Sequence, residues 1–186
     1  MNITTVFIDR DGVINRDSPD YIKSVDEFHF LPKSPEAFSL LKARNLSAMV
    51  ITNQSIIGRG WVSEMGLAAI FEKMTRGIEH AGGKVDDIFF CPHTPDDGCS
   101  CRKPKPGLID NACRTHGVDP ATSVMIGDSA KDILCGKAAG CAATILVRTG
   151  NGEKALAALT EEGSLPDHVA DTLFDAVRWV IDTLID

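Results

Sequence analysis

Three observations predict an α/β fold: a Rossmann-like parallel sheet with helices on both faces. Short runs of apolar and β-branched residues alternate with segments of helical periodicity along most of the chain. The apolar runs stop abruptly at polar clusters, as strands do where a parallel sheet turns its carboxyl edge towards a ligand. The 186 residues also suit one hydrophobic core and leave little room for a second, so a single domain over 1–186 is expected.

Each element has its own justification. Ile3 to Ile8 reads as a buried central strand ending in Asp9 and Asp11. Extended backbone turns those two carboxylates to the same side and Arg10 away, and Gly12 lets the chain leave sharply. A loop of about twenty residues follows, through Asp17-Ser18-Pro19-Asp20-Tyr21 to Leu31-Pro32, too poor in periodic apolar residues for a long helix. Ser34-Pro35-Glu36 starts a helix with a side-chain cap, a proline at the first helical position and an early acid. That helix runs to about Arg44 and buries Ala37, Leu40 and Leu41. Ala48 to Ile51 is a second strand, ending in Thr52-Asn53-Gln54-Ser55. Ser63 caps a long helix in which Leu67, Ile70, Phe71, Met74 and Ile78 recur as a core-packing stripe, and Gly82-Gly83 ends it.

Asp87 to Phe90 is a third strand, followed by a loop from Cys91 to Gly107 dense in Cys, Pro and Asp, and a short helix ending near Gly117. Ser123 to Ile126 is a fourth strand, then Gly127-Asp128-Ser129 and a helix to about Ala139. Ala143 to Val147 is a fifth. Gly150-Asn151-Gly152 reads as a loop, and a final amphipathic helix carries Val177, Val180, Ile181 and Leu184. Only about forty residues separate the first two strands, part of them helical, so no large cap domain is expected and short loops must do the recognition.

A formal charge of −7 argues against a nucleic-acid partner, which demands a basic face, but not against a phosphate ester, which needs only a local set of donors. Neither a leader nor a membrane span is visible; the expectation is a cytoplasmic monomer acting on a small molecule, with no membrane partner. Six cysteines are present, and Cys91, Cys99 and Cys101 crowd into eleven positions, which points to metal rather than disulfides. Cys113, Cys135 and Cys141 read as small apolar residues.

Three strand ends carry polar groups: Asp9 and Asp11, Thr52 and Asn53, and Asp128. Arg102-Lys103 adds cations after the third strand. In a parallel sheet these ends meet at one edge, and carboxylates, a hydroxyl and cations in one place suit phosphoryl transfer. Mg²⁺ prefers oxygen ligands, which Asp9 and Asp128 supply. Asp9 would attack phosphorus to give an aspartyl phosphate, Asp11 would act as acid and then base, and Thr52 and Lys103 would hold the phosphoryl oxygens. Each residue has a plainer use alone, as turn cap or helix cap, but together and in this order those uses are improbable. Asp132, one turn beyond Asp128, would orient the site or be a solvated helix charge. Lys105 competes with Lys103 as the phosphate clamp.

Asp9-Arg10-Asp11-Gly12, Thr52-Asn53-Gln54-Ser55, Arg102-Lys103-Pro104 and Gly127-Asp128 resemble the four signature motifs of the haloacid dehalogenase (HAD) superfamily of phosphatases. The longer strings D-R-D-G-V-I-N, T-N-Q-S-x-x-x-R-G, C-P-H, C-x-C-R-K-P-x-P-G and V-R-T-G are similar to its sugar-bisphosphate branch, which acts on a heptose bisphosphate, and to its histidinol-phosphate relatives. The resemblance spans roughly residues 3 to 150. It implies Asp9 as nucleophile and Mg²⁺ ligand, Asp11 as acid/base and a Mg²⁺ ligand through its carbonyl, and Asp128 as the remaining protein ligand. Thr52 and Lys103 would stabilise the phosphoryl group. Arg102, Asp17, Ser18, Pro19 and Asp20, with Thr52, Asn53, Gln54 and Ser55, would bind substrate. Ile56-Ile57-Gly58 departs from the motif, which has a glycine immediately after the serine.

Cys91, His93, Cys99 and Cys101 supply three thiolates and an imidazole, the donor set of a closed, structural Zn²⁺ site. The resemblance includes this loop. So polar a loop has little apolar area to hold it, and zinc would fix Arg102 and Lys103 against the phosphate.

Overall fold

A computed structural model describes residues 2 to 185; Met1 and Asp186, the ends of the expected domain, lie outside the described residues. The strands are β1 (Thr5–Ile8), β2 (Ser47–Asn53), β3 (Asp87–Cys91), β4 (Ser123–Gly127), β5 (Ala143–Val147) and β6 (His168–Ala170). The helices are α1 (Ser34–Ala43), α2 (Glu64–His80), α3 (Gly107–His116), α4 (Ala130–Ala139), α5 (Gly152–Glu161) and α6 (Leu173–Leu184).

The strands form one parallel sheet in the order β3-β2-β1-β4-β5-β6. Strand β1 is central, and its residues alternate between two cores. Val6 and Ile8 join Val50, Ile126 and Ile145 on the face covered by α1, α2 and α6. Phe7 joins Met49 and Met125 on the face where Leu108, Ile109 and Ala112 of α3 and Cys135 of α4 pack. Helix α5 adds a smaller cluster, with Leu159 and Ala155 against Leu146 and Ile133. Strands buried on both faces read as continuous apolar runs, and that is why five of them are legible in the sequence.

Several expectations need correction. A sixth strand and an additional helix follow β5: α5 starts at Gly152, inside the stretch expected to be only a loop. Ser34 does not cap α1. The cap position is Lys33, with φ +60°, and Ser34 lies inside the helix with its hydroxyl donated to the carbonyls of Ile14 (2.6 Å) and Leu31 (2.9 Å). The bond ties the long first loop to the helix instead of closing the helix end. Phe38 is buried in α1, and Leu40 only partly. Ser63 does cap α2, accepting from the amide of Gly66 at 3.1 Å. Among the described residues no helix is long and apolar enough to cross a membrane.

Candidate active site

From β1 the chain builds β2 and then β3 on one side and crosses back to β4 on the other, so the strand order reverses between β1 and β4 and their carboxyl ends open into a crevice. Ile8 pairs with Ile126, and the Asp9 amide donates to the Ile126 carbonyl at 2.9 Å. Asp9 and Asp128 therefore emerge side by side although 119 positions separate them in the chain. A cavity of about 490 Å³ lies over them, lined at its base by Asp9, Asp11, Thr52, Lys103, Asp128 and Asp132.

Lys103 is the centre of this base. It is 3% exposed, and its ammonium lies 2.8 Å from Asp9 Oδ1 and 2.6 Å from Asp132 Oδ1 while donating to the Ile51 carbonyl at 2.8 Å. Its backbone is clamped by the Asn53 side chain, which accepts from the Lys103 amide (3.1 Å) and donates to its carbonyl (3.3 Å). Lys105, the competing clamp, is exposed and donates to the Gly98 and Cys99 carbonyls, away from the carboxylates. Asp132 is fully buried, so the solvated-charge reading fails. Its carboxylate also caps α4, accepting from the Ser129 amide and hydroxyl.

Carboxylate oxygens of Asp9, Asp128 and Asp132 all lie within 4.8 Å of one another. Three buried acids facing one buried ammonium leave an excess of two negative charges. The protonation equilibria register the strain. Burial pushes Asp9 well above the usual carboxylate range; Asp132 and Asp128 push the same way, against the pull of Lys103. Burial raises Asp128 to about 7, Asp132 adds to that, and the Asn151 amide, 2.8 Å from Asp128 Oδ2, opposes it. Burial disfavours the charged form of Lys103, but Asp132 and Asp9 outweigh it and raise its pKa. A divalent cation ligated by oxygen relieves this imbalance, and the donor set fits one. Backbone also makes room for Asp128: Gly12 and Gly150, both at positive φ, pass so close that a Cβ on either would lie 2.1 Å from Asp128 Oδ2.

Asp11 is held differently from Asp9. Arg10 turns out of the cavity as expected, yet into the protein interior rather than to solvent. It is 1% exposed and folds back on Asp11 in a bidentate pair, with Nε and Nη2 on Oδ1 at 3.1 and 2.7 Å and Nη2 on Oδ2 at 2.8 Å. Asn15 donates to Asp11 Oδ1 at 2.9 Å and Gln54 to Oδ2 at 3.0 Å. The Gln54 amide also donates to Thr52 Oγ1 at 2.9 Å, which leaves the Thr52 hydroxyl proton to be offered elsewhere.

Of the residues expected to bind substrate, Asp17, Thr52, Asn53, Arg102 and Lys103 line the cavity. Ser18 and Pro19 line a neighbouring hollow beside Gly150 and Asn151, and Asp20 lines another beside Arg16. Gln54 and Ser55 are buried behind the wall, where Gln54 reaches the site only through Asp11 and Thr52. Sequence reasoning missed Tyr21, Lys131, Asn151 and Lys154 in the lining. For Asn151 the available signal was the V-R-T-G string just before it; its side chain reaches back to Asp17 Oδ2 at 2.9 Å.

The cysteine-rich loop forms a second cluster. Cys91 Sγ lies 3.6 Å from His93 Nδ1, 3.6 Å from Cys99 Sγ and 3.2 Å from Cys101 Sγ; Cys101 Sγ lies 3.3 Å from His93 Nδ1 and 3.5 Å from Cys99 Sγ. No pair is a disulfide. Metal–sulfur distances of about 2.3 Å in a tetrahedron imply sulfur–sulfur edges of roughly 3.8 Å, so these edges fit a four-coordinate ion with slight contraction. With only the protein's own groups present, burial pushes the Cys91 thiol up to about 12. Burial also raises Cys99, but the Arg102 amide and the neighbouring thiols outweigh it and bring Cys99 to about 7. The cluster is tied to the cavity by sequence and by hydrogen bonds. Cys101 precedes Arg102 and Lys103, Arg102 Nη1 donates to the His93 carbonyl at 3.1 Å, and the backbone N–H of Gln54 donates to the Cys91 carbonyl at 2.7 Å. The departing Ile56-Ile57-Gly58 segment packs here as well: the Gly58 amide donates to the Pro92 carbonyl at 2.9 Å, so close that a Cβ on Gly58 would lie 2.7 Å from that oxygen.

Comparison with known proteins agrees with this arrangement. Residues 100–176 match the family described as "HAD-hyrolase-like". The chain is similar to the D-glycero-beta-D-manno-heptose-1,7-bisphosphate 7-phosphatase of Bordetella bronchiseptica, 45% identical over 87% of this chain and 88% of the relative. It is likewise similar to the protein of the same name from Pseudomonas aeruginosa, 41% identical over 100% of this chain and 99% of the relative. Its fold is similar to the crystal structure of D,D-heptose 1,7-bisphosphate phosphatase from B. bronchiseptica complexed with magnesium and phosphate, with a TM-score of 0.90 and 41% identity over 97% of this chain and 99% of that one. With relatives this similar over their full length and a site of this composition at the reversal point of the sheet, the chain belongs to the HAD-type phosphatase family that includes the heptose-1,7-bisphosphate 7-phosphatases.

Proposed function

We propose that this chain hydrolyses the 7-phosphate of D-glycero-D-manno-heptose 1,7-bisphosphate, releasing inorganic phosphate and heptose 1-phosphate, as a cytoplasmic step of bacterial heptose-nucleotide synthesis. One observation carries the reaction class: three buried carboxylates gather at the base of an open cavity around a single buried lysine, which pairs with Asp9 and Asp132. The substrate rests on the relatives, which are named for heptose bisphosphate rather than histidinol phosphate.

Asp9 and Asp128, with the backbone carbonyl of Asp11, would hold Mg²⁺, and Asp132 stands close enough to steady the set. When bound, the ion offsets the excess charge of the acids and of the phosphoryl oxygens. Asp9 then attacks phosphorus, the bond from phosphorus to the sugar O7 breaks, and Asp11 delivers a proton to that oxygen. Asp11, now ionised, takes a proton from water as the water attacks the aspartyl phosphate, freeing phosphate and restoring Asp9. Throughout, Lys103 and the Thr52 hydroxyl hold the equatorial oxygens where charge spreads. Arg10, Asn15 and Gln54 aim Asp11. Cys91, His93, Cys99 and Cys101 would hold Zn²⁺ as a structural clip behind Arg102 and Lys103.

Phosphate release from both anomers of the heptose bisphosphate and from histidinol phosphate, with and without Mg²⁺ and with Asp9→Asn as control, tests the reading. We expect Mg²⁺-dependent release with the highest kcat/KM on a heptose bisphosphate. Higher kcat/KM on histidinol phosphate would overturn the substrate, and turnover surviving in Asp9→Asn would overturn the nucleophile.

A further inference from the structure

Asn151 stands where α5 begins, and an asparagine at that position ordinarily lends its side chain to the first amides of the helix. Here it makes no such bond. Its Nδ2 donates instead to Asp17 Oδ2 at 2.9 Å and reaches Asp128 Oδ2 at a longer 3.4 Å, while the backbone N–H of the same residue donates to Asp128 Oδ2 at 2.8 Å. One residue thus stands between two carboxylates that repel each other, and all three line the cavity.

The two acids depend on Asn151 to different degrees. Asp128 has the backbone N–H, and Gly12 and Gly150 close around the same oxygen, so its carboxylate stays in place without the side chain. Asp17 is exposed and opens a segment whose other hydrogen bonds are internal: the Ser18 amide to Asp17 Oδ1 (2.8 Å), the Asp20 amide to Ser18 Oγ (3.2 Å) and the Tyr21 amide to the Ser18 carbonyl (3.0 Å). Among the described residues, the bond to Asn151 is the one hydrogen bond that fastens residues 17 to 21 to the rest of the fold. At the far end of the segment the Tyr21 ring meets Trp61 edge-on, with centroids 5.4 Å apart, a contact that does not orient a carboxylate. A neutral amide suits the task, because it aims Asp17 without cancelling its charge and leaves lone pairs for hydroxyl donors in the cavity. We infer that the Asn151 side chain is a positioning residue for substrate: it holds Asp17 at the wall so that this carboxylate accepts from sugar hydroxyls, while the backbone N–H separately serves Asp128. This rests on the phosphatase reading above.

The test is a double-mutant cycle over Asp17→Ala and Asn151→Ala, with Asn151→Gln added. KM and kcat are measured on heptose 1,7-bisphosphate, and Mg²⁺ affinity by calorimetry without substrate. We expect Asn151→Ala to raise KM about fivefold while kcat and the Mg²⁺ dissociation constant stay within about twofold of wild type. Asn151→Gln, which keeps an amide donor, recovers part of the lost KM. In the Asp17→Ala background, Asn151→Ala adds nothing further, since both changes remove the same interaction. The inference is overturned by an unchanged KM in Asn151→Ala, or by a rise in KM that recurs in full without Asp17. It is equally overturned if kcat and Mg²⁺ affinity fall along with KM, which would make the side chain a support of Asp128; the phosphatase reading survives all three results. A wild type that releases no phosphate from the bisphosphate removes that reading and this inference together.

Discussion

The two clusters that fit a metal ion are built on opposite principles. The cysteine and histidine donors fall within residues 91 to 101 and close on themselves; one short loop brings them together although only Cys91 is buried. The carboxylates come from two distant stretches, position 9 and positions 128 and 132, and the lysine that pairs with two of them, Lys103, arrives from a third. With the zinc proposed above, the first cluster would fasten a loop that has little apolar area of its own. In the second, the sheet forces like charges into proximity, which is possible because the apolar cores on both faces of β1 and β4 hold the strand ends rigidly. Rigidity at the base and a clipped loop beside it meet in three consecutive residues, Cys101, Arg102 and Lys103.

Lys103→Met should have the largest consequence. It leaves three buried acids without their cation, and we expect kcat/KM to fall about 10³-fold. Stability should drop by about 3–5 kcal/mol, since a broken buried pair strands its partner. A urea midpoint that did not move, with or without Mg²⁺, would mean that the acids are not coupled through this lysine. Next in size is Cys101→Ala, which should abolish zinc binding by elemental analysis and lower kcat/KM about 10- to 100-fold, with Mg²⁺ dependence retained. Full turnover in a verified zinc-free variant would show that the two clusters work independently. Gly150→Ala inserts a methyl group at the Asp128 carboxylate, in a backbone conformation that alanine resists. We expect the Mg²⁺ concentration for half-activation to rise about tenfold, and an unchanged value would show that Asp128 has slack. The smallest effect belongs to Gln54→Ala. It removes one of the donors to Asp11 while Arg10 and Asn15 remain, and should raise the barrier by about 1 kcal/mol, roughly fivefold in kcat, with KM for substrate nearly constant. A change confined to KM would place Gln54 in binding instead.

Legibility followed locality. The strands are apolar runs that declare themselves, and the cysteine-rich loop carries its whole donor set in a few residues. Helix α5 did not declare itself because its cap position, Asn151, makes no capping bond; the side chain goes to Asp17 and the backbone amide to Asp128. Strand β6 is three residues long, too short to show a period. Ser34 looked like a cap because local chemistry allows it, and tertiary contact with the Ile14 carbonyl decided otherwise. Arg10 alternates away from Asp9 as strand geometry requires, yet nothing in its neighbours along the chain announces that a guanidinium would be buried against Asp11.

By itself the sequence determined the parallel α/β class, the order of the strand-end motifs and the identity of the soft-donor loop, and it singled out Asp9, Asp11, Thr52, Lys103 and Asp128, the set we propose as reactive. These are readable because periodicity, turn chemistry and short motifs act over a few residues. Tertiary structure alone decided that Asp132 stands beside Asp9 with Lys103 between them, that Gln54 serves Asp11 from behind the wall, and that Lys131 and Lys154 reach the cavity from two helices. The physical reason is that charge interacts through space and not along the chain. Which charges share a low-dielectric pocket is settled only once the sheet has closed its register.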